Sequence, residues 1–260
     1  MYDLAALEAE LAGTIYAGKF HFSRTTGSTN TDAMAAARSG APHGSVCFAD
    51  EQTTGRGRGN HRWHSAAVSG IYVSIVLRLQ IPAARLALLP LAAGLAATEA
   101  VRSTTGIKID LRWPNDLLID SRKVGGILVE ASAHAARAMF AVVGIGINVH
   151  QMRFDPGLDT PATSLDLKAG RRIDRQTLLA ALLKSLEREA TALADSERAK
   201  MIAARVEEAS TWVRGRRVQV HGPQACTGVT AGLDNNGFLR VDTAAGTVTV
   251  QTGGLRAEKG

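Results

Sequence analysis

Hydrophobic residues follow two different periods along the chain before residue 213. Apolar residues that alternate with polar ones, or run together in short stretches, predict strands at 20–25, 45–49, 70–79, 109–113, 117–119, 123–130 and 138–149. Apolar residues at helical spacing predict helices at 3–13, 33–38, 82–103 and 174–210. The helix at 82–103 is apolar on nearly all sides, which is typical of a helix buried against a sheet.

The pattern changes after Trp212. Short stretches of strand type are separated there by turns rich in glycine, asparagine and aspartate, and they occupy 217–220, 227–233, 238–242 and 247–251. Several short strands so close together predict a small barrel. We therefore divide the chain into a large domain at 1–212 and a small domain at 213–260.

The connection between two predicted strands, residues 52–63, reads QTTGRGRGNHRW. Three glycines alternate in it with Arg56 and Arg58, a pattern that suits neither a helix nor a strand because glycine loses the most backbone entropy on ordering. Backbone N–H groups in such a loop can approach an anion closely, and guanidinium groups can bind its oxygens in pairs. A solvated basic turn is the alternative, and the flanking motifs decide between the two.

Two further stretches place polar residues at the ends of predicted elements. Residues 26–32 read TGSTNTD, in which Thr29 and Asp32 have the spacing of a capping box. The same helix N-terminus can present hydroxyl and N–H groups to a polar ligand, and the residues leave both interpretations open. The strand that ends at Asn148 carries Gly-Ile-Gly-Ile before it, which indicates close approach of another group to the backbone.

Several common site motifs are absent from the sequence. The glycines of 144–148 lack the third glycine and the following helix of a dinucleotide fingerprint, and there is neither a phosphate loop nor an HExxH motif. His61 and His64 lie in the glycine–arginine loop. Two isolated histidines in a loop are more often solvated than metal ligands.

The 260 residues carry a net charge of +6, with 45% hydrophobic and 21% charged residues, which is typical of a globular protein. A positive balance favours an anionic partner but does not separate nucleic acid, nucleotide and acidic protein. The arginines are spread along the chain without a basic tail, which favours the last two.

Cys47 and Cys226 stand far apart without CxxC spacing, so we expect neither a disulfide framework nor a zinc site. The acidic amphipathic start is unlike a signal peptide. The longest apolar run, 86–98, contains Pro90 and is shorter than the roughly 20 residues that span a bilayer. We expect a cytoplasmic protein without a membrane segment.

Taken together, five motifs in this order and the terminal barrel resemble the biotin protein ligases. The motifs are Gly27–Asn30, Gln52 with the Gly55–Arg58 loop, Arg112–Asp116, Lys123–Glu130 and Gly144–Asn148. Each motif is weak by itself, but the ordered set is specific and covers nearly the whole chain. The resemblance implies an α+β fold, with a mixed β-sheet and flanking helices akin to class II aminoacyl-tRNA synthetase catalytic domains. It makes 1–212 the catalytic domain and 213–260 an SH3-like barrel.

The resemblance also implies a reaction in two steps. The carboxylate of biotin attacks the α-phosphate of Mg-ATP, which gives biotinyl-5′-AMP and pyrophosphate. The ε-amine of a lysine on biotin carboxyl carrier protein then attacks the mixed anhydride. ATP and biotin would thus be substrates, with Mg²⁺ required, and closure of the glycine loop would keep water from the anhydride.

Site residues follow from the resemblance and suit the chemistry, because bringing two anions together requires positioning and positive charge. The implied catalytic residues are Lys123, Arg58 and Arg56. The implied biotin site consists of Ser28, Thr29, Asn30, Gln52, Arg56, Gly57, Arg58 and Lys123. The implied ATP site consists of Arg58, Trp63, Asn115, Lys123 and Asn148. Asp116 would help to hold Mg²⁺, which usually takes one or two protein carboxylates.

The sequence departs from the family at one of these motifs. Many members carry lysine where Arg112 stands, and in a chain with 23 arginines and 7 lysines drift towards arginine explains the change. Arginine and lysine are not equivalent at a close phosphate contact, so we do not include Arg112 among the site residues that the sequence predicts.

Other functions remain open on the sequence. A lipoate ligase is expected to share the fold and the adenylate chemistry, although the double Gly-Arg loop and the barrel favour biotin. Some biotin ligases are also DNA-binding repressors, but only about twenty residues precede the first predicted strand, too few for a helix-turn-helix domain, so we expect no DNA binding. A non-catalytic biotin-binding module is a third reading. The oligomeric state, a homodimer included, is undetermined, and we hypothesise that the barrel holds the catalytic domain and docks the carrier.

Overall fold

The structure is a computed structural model that describes residues 2–59, 61–134 and 137–258. Its first sheet has seven strands in the order β1-β2-β3-β7-β6-β5-β4. β1 and β2 are parallel and the other neighbours are antiparallel, so the expected mixed sheet is confirmed. The strands are β1 Phe20–Thr26, β2 Val46–Gln52, β3 Gly70–Leu77, β4 Asp110–Arg112, β5 Asp116–Ile119, β6 Arg122–His134 and β7 Arg137–Asn148.

Helices cover both faces of this sheet. They are α1 Leu4–Glu10, α2 Thr29–Arg38, α3 Leu89–Thr105, α4 Leu165–Ala169, α5 Arg175–Ala194 and α6 Ser196–Glu208. On one face α2 packs on β2, β3 and β7 through a small apolar cluster that includes Ala33 and Val142. On the other face α3 and α5 cover the main core.

Alternation along β7 separates the core from the face that α2 leaves open. Successive residues of a strand point to opposite faces. Val143, Ile145 and Ile147 are buried in the main core. Val142 packs under α2, and the residues that follow on its face are glycines, Gly144 and Gly146. The sheet is therefore apolar on one face and opens into a cavity on the other.

Two helix predictions require correction. The helix expected from residue 33 begins at Thr29, and the capping box is wrong because the N-cap is Ser28, which makes no side-chain cap bond. The hydroxyl of Thr29 instead contacts Gln52 and Ser74. The single helix expected at 174–210 is broken at Asp195, whose carboxylate accepts the first free N–H groups of α6.

The apolar helix predicted at 82–103 begins with a 3₁₀ segment, Ala83–Leu88, continues as α3, and ends at Gly106 in the left-handed conformation. Together they make one helix, Ala83–Thr105. By length and composition this helix could cross a membrane, so the expectation that the apolar segment is too short is wrong. Of its most apolar window, 61% is buried inside the protein. Packing against α5 and the sheet thus accounts for its composition.

A second, antiparallel sheet follows in the order β11-β10-β9-β8-β12, consistent with the expected small barrel. Its strands are β8 Arg214–His221, β9 Cys226–Leu233, β10 Leu239–Thr243, β11 Gly246–Val250 and β12 Gly254–Ala257, the last of which the pattern did not predict. The indole N–H of Trp113 donates to the Gly237 carbonyl at 2.9 Å, so the turn before β10 contacts the first sheet's β4–β5 connection. The division of the chain at Trp212 stays a prediction.

Candidate functional site

A cavity of about 1000 Å³ lies on the open face of the first sheet. Its walls are the glycine–arginine loop, segment 154–162 and the edge of the second sheet where β8 ends and β12 begins. All the residues that the sequence proposed for a site line it: Ser28, Thr29, Asn30, Gln52, Arg56, Gly57, Arg58, Trp63, Asn115, Asp116, Lys123 and Asn148. The fold thus brings the separate motifs to one place, while the role of each residue stays a prediction.

The two glycines of β7 make room for polar side chains in this cavity. A Cβ atom added to Gly144 would lie 2.4 Å from Oδ1 of Asn30. One added to Gly146 would lie 2.6 Å from the indole of Trp63. Real Cβ contacts are essentially never this short, so the Gly-Ile-Gly-Ile-Asn motif provides space for Asn30 and Trp63.

Polar groups converge where α2 begins. Oε1 of Gln52 accepts hydrogen bonds from the backbone N–H and the hydroxyl of Thr29 at 2.8 and 3.1 Å, and Nε2 of Gln52 donates to Ser65 at 2.7 Å. Oγ of Ser28 and Oδ1 of Asn30 are buried and have no hydrogen-bond partner among the described residues. Buried polar atoms rarely remain unpaired, so these two atoms mark a place for a polar ligand.

Glu130 contacts two of the residues that line the cavity, although the motifs assigned it no role. Its carboxylate takes both terminal nitrogens of Arg56, at 2.8 and 2.9 Å, and accepts a hydrogen bond from Nδ2 of Asn30. This bond uses Nδ2 of Asn30 and leaves its Oδ1, which lies against Gly144, without a partner among the described residues. The paired guanidinium fastens the loop to β6. The implied role of Arg56 in binding biotin stays a prediction, and in this structure its guanidinium is engaged by Glu130. The position of Glu130 at the end of the Lys-Val-Gly-Gly motif is the signal that could have found it.

The glycine–arginine loop is folded back on itself by backbone hydrogen bonds. The N–H of Gly57 donates to the carbonyl of His61 at 2.8 Å, and the N–H of Trp63 donates to the carbonyl of Gly55 at 2.9 Å. A Cβ atom on Gly55 would lie 2.4 Å from the Trp63 carbonyl, which excludes any other residue from this close approach. The hairpin places Trp63 over β6 and β7.

Arg58 reaches from the loop to the second sheet. Its Nη1 donates to the carbonyl of Gly253 at 2.7 Å, and its Nη2 donates to the hydroxyl of Thr252 at 3.1 Å. Burial lowers the pKa of Arg58, while the nearby carboxylate of Asp116 opposes that shift. The second sheet thus helps to position a cationic side chain of the cavity, a contact that no local pattern predicts.

Lys123 is the second residue of β6 and points at Asp116, with 2.5 Å between Nζ and Oδ1. Burial alone favours the neutral acid, but Lys123 and Arg112 outweigh it, so the pKa of Asp116 lies below its ordinary value. Asp116 is therefore an anion at neutral pH. The ammonium of Lys123 also lies 5.7 Å from the ring centre of Trp63. The cavity holds cations next to an aromatic ring.

The described side chains do not fit a metal ion held by the protein. Both oxygens of Asp116 already have cationic partners, Lys123 on Oδ1 and Arg112 on Oδ2. Among the described residues no three His, Cys, Asp or Glu side chains come close enough to hold a metal. Asp116 as a magnesium ligand stays a prediction that this geometry opposes.

The remaining proposed residues are Asn148, Asn115 and Trp63, all of which line the cavity. Nδ2 of Asn148 donates to the Thr163 carbonyl at 3.1 Å, and Nδ2 of Asn115 donates to the Ile127 carbonyl at 2.8 Å. Nε1 of Trp63 is buried without a hydrogen-bond partner in the described part of the chain. Both amides therefore support the wall, and the indole N–H has its hydrogen bond unfulfilled among the described residues.

Some lining residues carried no signal in the sequence. Phe154 and Thr160, from the connection between β7 and α4, line the cavity, as do His221 and Arg256 from the second sheet. Arg256 pairs with Asp159 at 2.5 Å and so joins the second sheet to that segment. Contacts between parts so distant along the chain leave no local pattern.

Comparison with known proteins places this fold and cavity in a class. Residues 22–148 match the model of the Biotin/lipoate A/B protein ligase family. Over 234 residues the chain is 34% identical to the biotin–[acetyl-CoA-carboxylase] ligase of Mycobacterium tuberculosis, covering 88% of this chain and 85% of that protein. The chain therefore belongs to the biotin protein ligases, and the resemblance inferred from its motifs is confirmed.

Other matches agree with this assignment. The bifunctional ligase/repressor BirA of Bacillus subtilis is 39% identical over 163 residues, which is 62% of this chain but only 50% of that protein. The chain thus matches about half the length of this relative. A biotin protein ligase of Aquifex aeolicus, solved in complex with biotin and ATP, superposes with a TM-score of 0.78 at 28% identity, covering 92% of this chain and 98% of that chain.

Proposed function

We propose that the protein is a biotin–[biotin carboxyl-carrier protein] ligase that activates biotin with ATP and transfers it to a carrier lysine. One observation carries the proposal: a single cavity has unpartnered polar atoms at one end, among the described residues, and Lys123, Arg58 and an indole at the other. The Mycobacterium relative carries the name of this activity, and the Aquifex structure contains both small substrates.

The polar end suits the ureido ring of biotin. That ring offers two N–H donors and one carbonyl acceptor. Oδ1 of Asn30 is held as an acceptor by the bond between Nδ2 and Glu130, and the hydroxyl of Ser28 can donate or accept. Leu128, which pairs with Gly144 across β6 and β7, also lines the cavity and provides apolar contact for the rest of the bicycle. An acid without such a ring would leave Ser28 and Asn30 unpaired, which is the basis for selectivity.

The cations then face the reacting groups. In the first step a carboxylate oxygen of biotin attacks the α-phosphorus, the bond to the β-phosphate oxygen breaks, and pyrophosphate leaves. Lys123 and Arg58 offset the charge of the two anions that must approach. In the second step the neutral amine of the carrier lysine attacks the carbonyl carbon, AMP leaves with the bonding electrons, and the amine loses a proton.

The indole end suits the nucleotide. We infer that Trp63 provides an aromatic surface for the adenylate, with Asn115 and Asn148 supporting the wall behind it. The hairpin that carries Trp63 also carries Arg58, and both line the cavity. We therefore expect one loop to contact both parts of the ATP molecule. This coupling explains why the loop needs glycines for close packing and arginines for charge.

The proposal is tested by mixing the protein with biotin and Mg-ATP and measuring biotinyl-5′-AMP by mass spectrometry. Lipoate replaces biotin in a matched reaction, because the family model includes lipoate ligases. Accumulation of biotinyl-5′-AMP, followed by labelling of a biotin carboxyl carrier protein, is expected. Binding of biotin without adenylate would identify a binding module, and preference for lipoate would overturn the choice of substrate.

We also propose that the enzyme is cytoplasmic. This location agrees with the free thiols of Cys47 and Cys226. DNA binding is not part of the proposed activity, and gel-shift assays with genomic fragments check this. Sedimentation with and without biotin and ATP tests for a homodimer.

Ligand binding is expected to protect the glycine–arginine loop from trypsin. The loop is joined to the rest of the cavity mainly through Arg56 and Arg58, and an adenylate beneath it would add contacts to both. Cleavage after these arginines should slow at least about tenfold with biotin and Mg-ATP, since opening must then break ligand contacts. Cleavage after the exposed Arg172, outside the cavity, is the internal control. Equal cleavage with and without ligands would contradict closure of the loop on the adenylate.

A further inference from the structure

Arg112 is nearly enclosed, with 8% of its surface exposed, and uses its planar guanidinium in several directions. Nε and Nη2 both donate to Oδ2 of Asp116, at 3.0 and 2.6 Å. Nη2 also donates to the hydroxyl of Thr160 at 3.0 Å, which ties the group to the segment that lines the cavity. Hydrogen bonds from two edges of the guanidinium therefore fix the orientation of its plane.

The face of the same guanidinium lies on Trp212, with 5.2 Å between Cζ and the ring centre. Trp212 is buried. The guanidinium of Arg216, in β8, also lies over its ring, with 3.7 Å between Cζ and the ring centre. The backbone N–H of Trp212 donates to Ser210, whose hydroxyl donates to the Leu111 carbonyl in β4. The indole is therefore a fixed surface between the two sheets.

Asp116 joins this arrangement to the cavity. Its Oδ2 is taken by Arg112, which leaves Oδ1 for the ammonium of Lys123. A carboxylate held by two donors on one oxygen cannot rotate freely, so the position of the other oxygen is fixed. The contacts run without a gap from Trp212 through Arg112 and Asp116 to Lys123.

We propose that Arg112 is a positioning residue that orients Asp116, and through it the ammonium of Lys123, for formation of the mixed anhydride. The inference rests on the proposed function, because Lys123 matters only if the cavity performs adenylation. It extends that function by giving Trp212 and the start of the second domain a part in the first chemical step.

The geometry gives a physical reason for arginine instead of lysine at position 112. A lysine ammonium is a compact point charge, and it cannot place two donors on one carboxylate oxygen, a third on Thr160 and a flat face on an indole. Trp212 supplies the aromatic surface on which a guanidinium stacks. Drift in composition would not produce these matched contacts.

The test compares Arg112→Lys with wild type in adenylate formation. The variant keeps the charge and loses the planar group, so kcat should fall about 10- to 100-fold, the range seen when residues behind a reactive group are changed. KM for biotin and ATP should stay within about threefold, because the contacts to the ground-state substrates remain. Arg205→Lys is the matched control: Arg205 forms a paired contact with Glu189 at 2.8 and 2.6 Å, outside the cavity, and this variant should behave as wild type.

A second readout needs no substrate. Each lysine is acetylated with acetic anhydride, and the rate at Lys123 is followed by mass spectrometry. In Arg112→Lys the carboxylate of Asp116 is no longer held in place, so the amine of Lys123 should react about fivefold faster. That factor corresponds to the loss of one hydrogen bond. Exposed Lys168 serves as the internal reference. If Arg112→Lys fails to fold, Thr160→Val is used instead, because it removes one partner of the guanidinium. Its kcat should fall by a smaller factor while KM again stays nearly unchanged.

The outcomes separate this inference from the proposed function. Wild-type kcat and wild-type acetylation of Lys123 in folded Arg112→Lys, or in Thr160→Val if that variant is needed, would overturn the positioning role. If Lys123→Ala is inactive at the same time, the proposed function still stands. Full activity of Lys123→Ala would instead remove Lys123 from the chemistry, and this inference would fail with it.

Discussion

Lys123→Ala is expected to fold normally and to form biotinyl-5′-AMP about 100- to 1000-fold more slowly than wild type, the usual cost of removing a group aimed at transition-state charge. The ammonium lies in the cavity with 29% of its side chain exposed and contacts Asp116 at 2.5 Å. Its removal leaves Asp116 paired with Arg112, so no buried charge loses all its partners and the free energy of unfolding changes little. Biotin-dependent exchange between ATP and pyrophosphate measures the loss.

The matched control for this variant is Lys168→Ala. Lys168 pairs with Asp120 at 2.6 Å on the surface, so its removal takes away an exposed ion pair and should leave exchange unchanged. Lys123→Arg should recover only part of the rate, because a planar fork does not replace a compact ammonium. Wild-type exchange in Lys123→Ala would remove Lys123 from the site and weaken the proposed function.

Gly146→Ala is expected to lower the rate of adenylate formation roughly 100-fold, the cost of a displacement of about 1 Å in an active site. The added methyl group would lie 2.6 Å from the Trp63 indole, so the ring must move out of the cavity wall. Because the ring lies at the cavity and not in the main core, the protein should remain folded. ATP affinity by calorimetry and the fluorescence of the tryptophans report the displacement.

Gly126→Ala provides a control on the neighbouring strand, since Gly126 pairs with Gly146 across β6 and β7. Its Cβ would lie 3.4 Å or more from the nearest atoms, which belong to Lys123 and Trp63, an ordinary contact distance. Its effect on ATP affinity should therefore be much smaller. If Gly146→Ala binds ATP as wild type does, the indole is not part of the nucleotide site.

Much of the fold could be predicted from local pattern. Alternation and helical spacing identified the strands of the first sheet and most helices, because burial of one face imposes a period that the sequence must carry. The helix at 174–210 was the main error. Asp195 caps α6 inside a continuous apolar pattern, and the pattern alone does not show that the chain bends there.

The candidate site was predicted as a set of motifs, because glycine and arginine in unusual arrangements mark positions where ordinary packing cannot be the reason. The paired glycines of β7 were found in this way, whereas Lys123 and Trp63 were implied by the family resemblance, and all line one cavity. Their partners were not found. Glu130 is 74 residues from Arg56 and Gly253 is 195 residues from Arg58, and no local pattern connects them.

By itself the sequence determined the order of elements, the motifs and, through their resemblance, the family. Only the tertiary structure decided what each charged side chain contacts. It showed that Asp116 forms ion pairs with two cationic side chains and that Arg58 donates a hydrogen bond to Gly253, next to the second sheet. It also showed that the guanidinium of Arg112 lies over the ring of Trp212. The reason is physical: periodicity records which face of an element is buried, whereas the direction of an ion pair or a hydrogen bond depends on distances between elements that are remote along the chain.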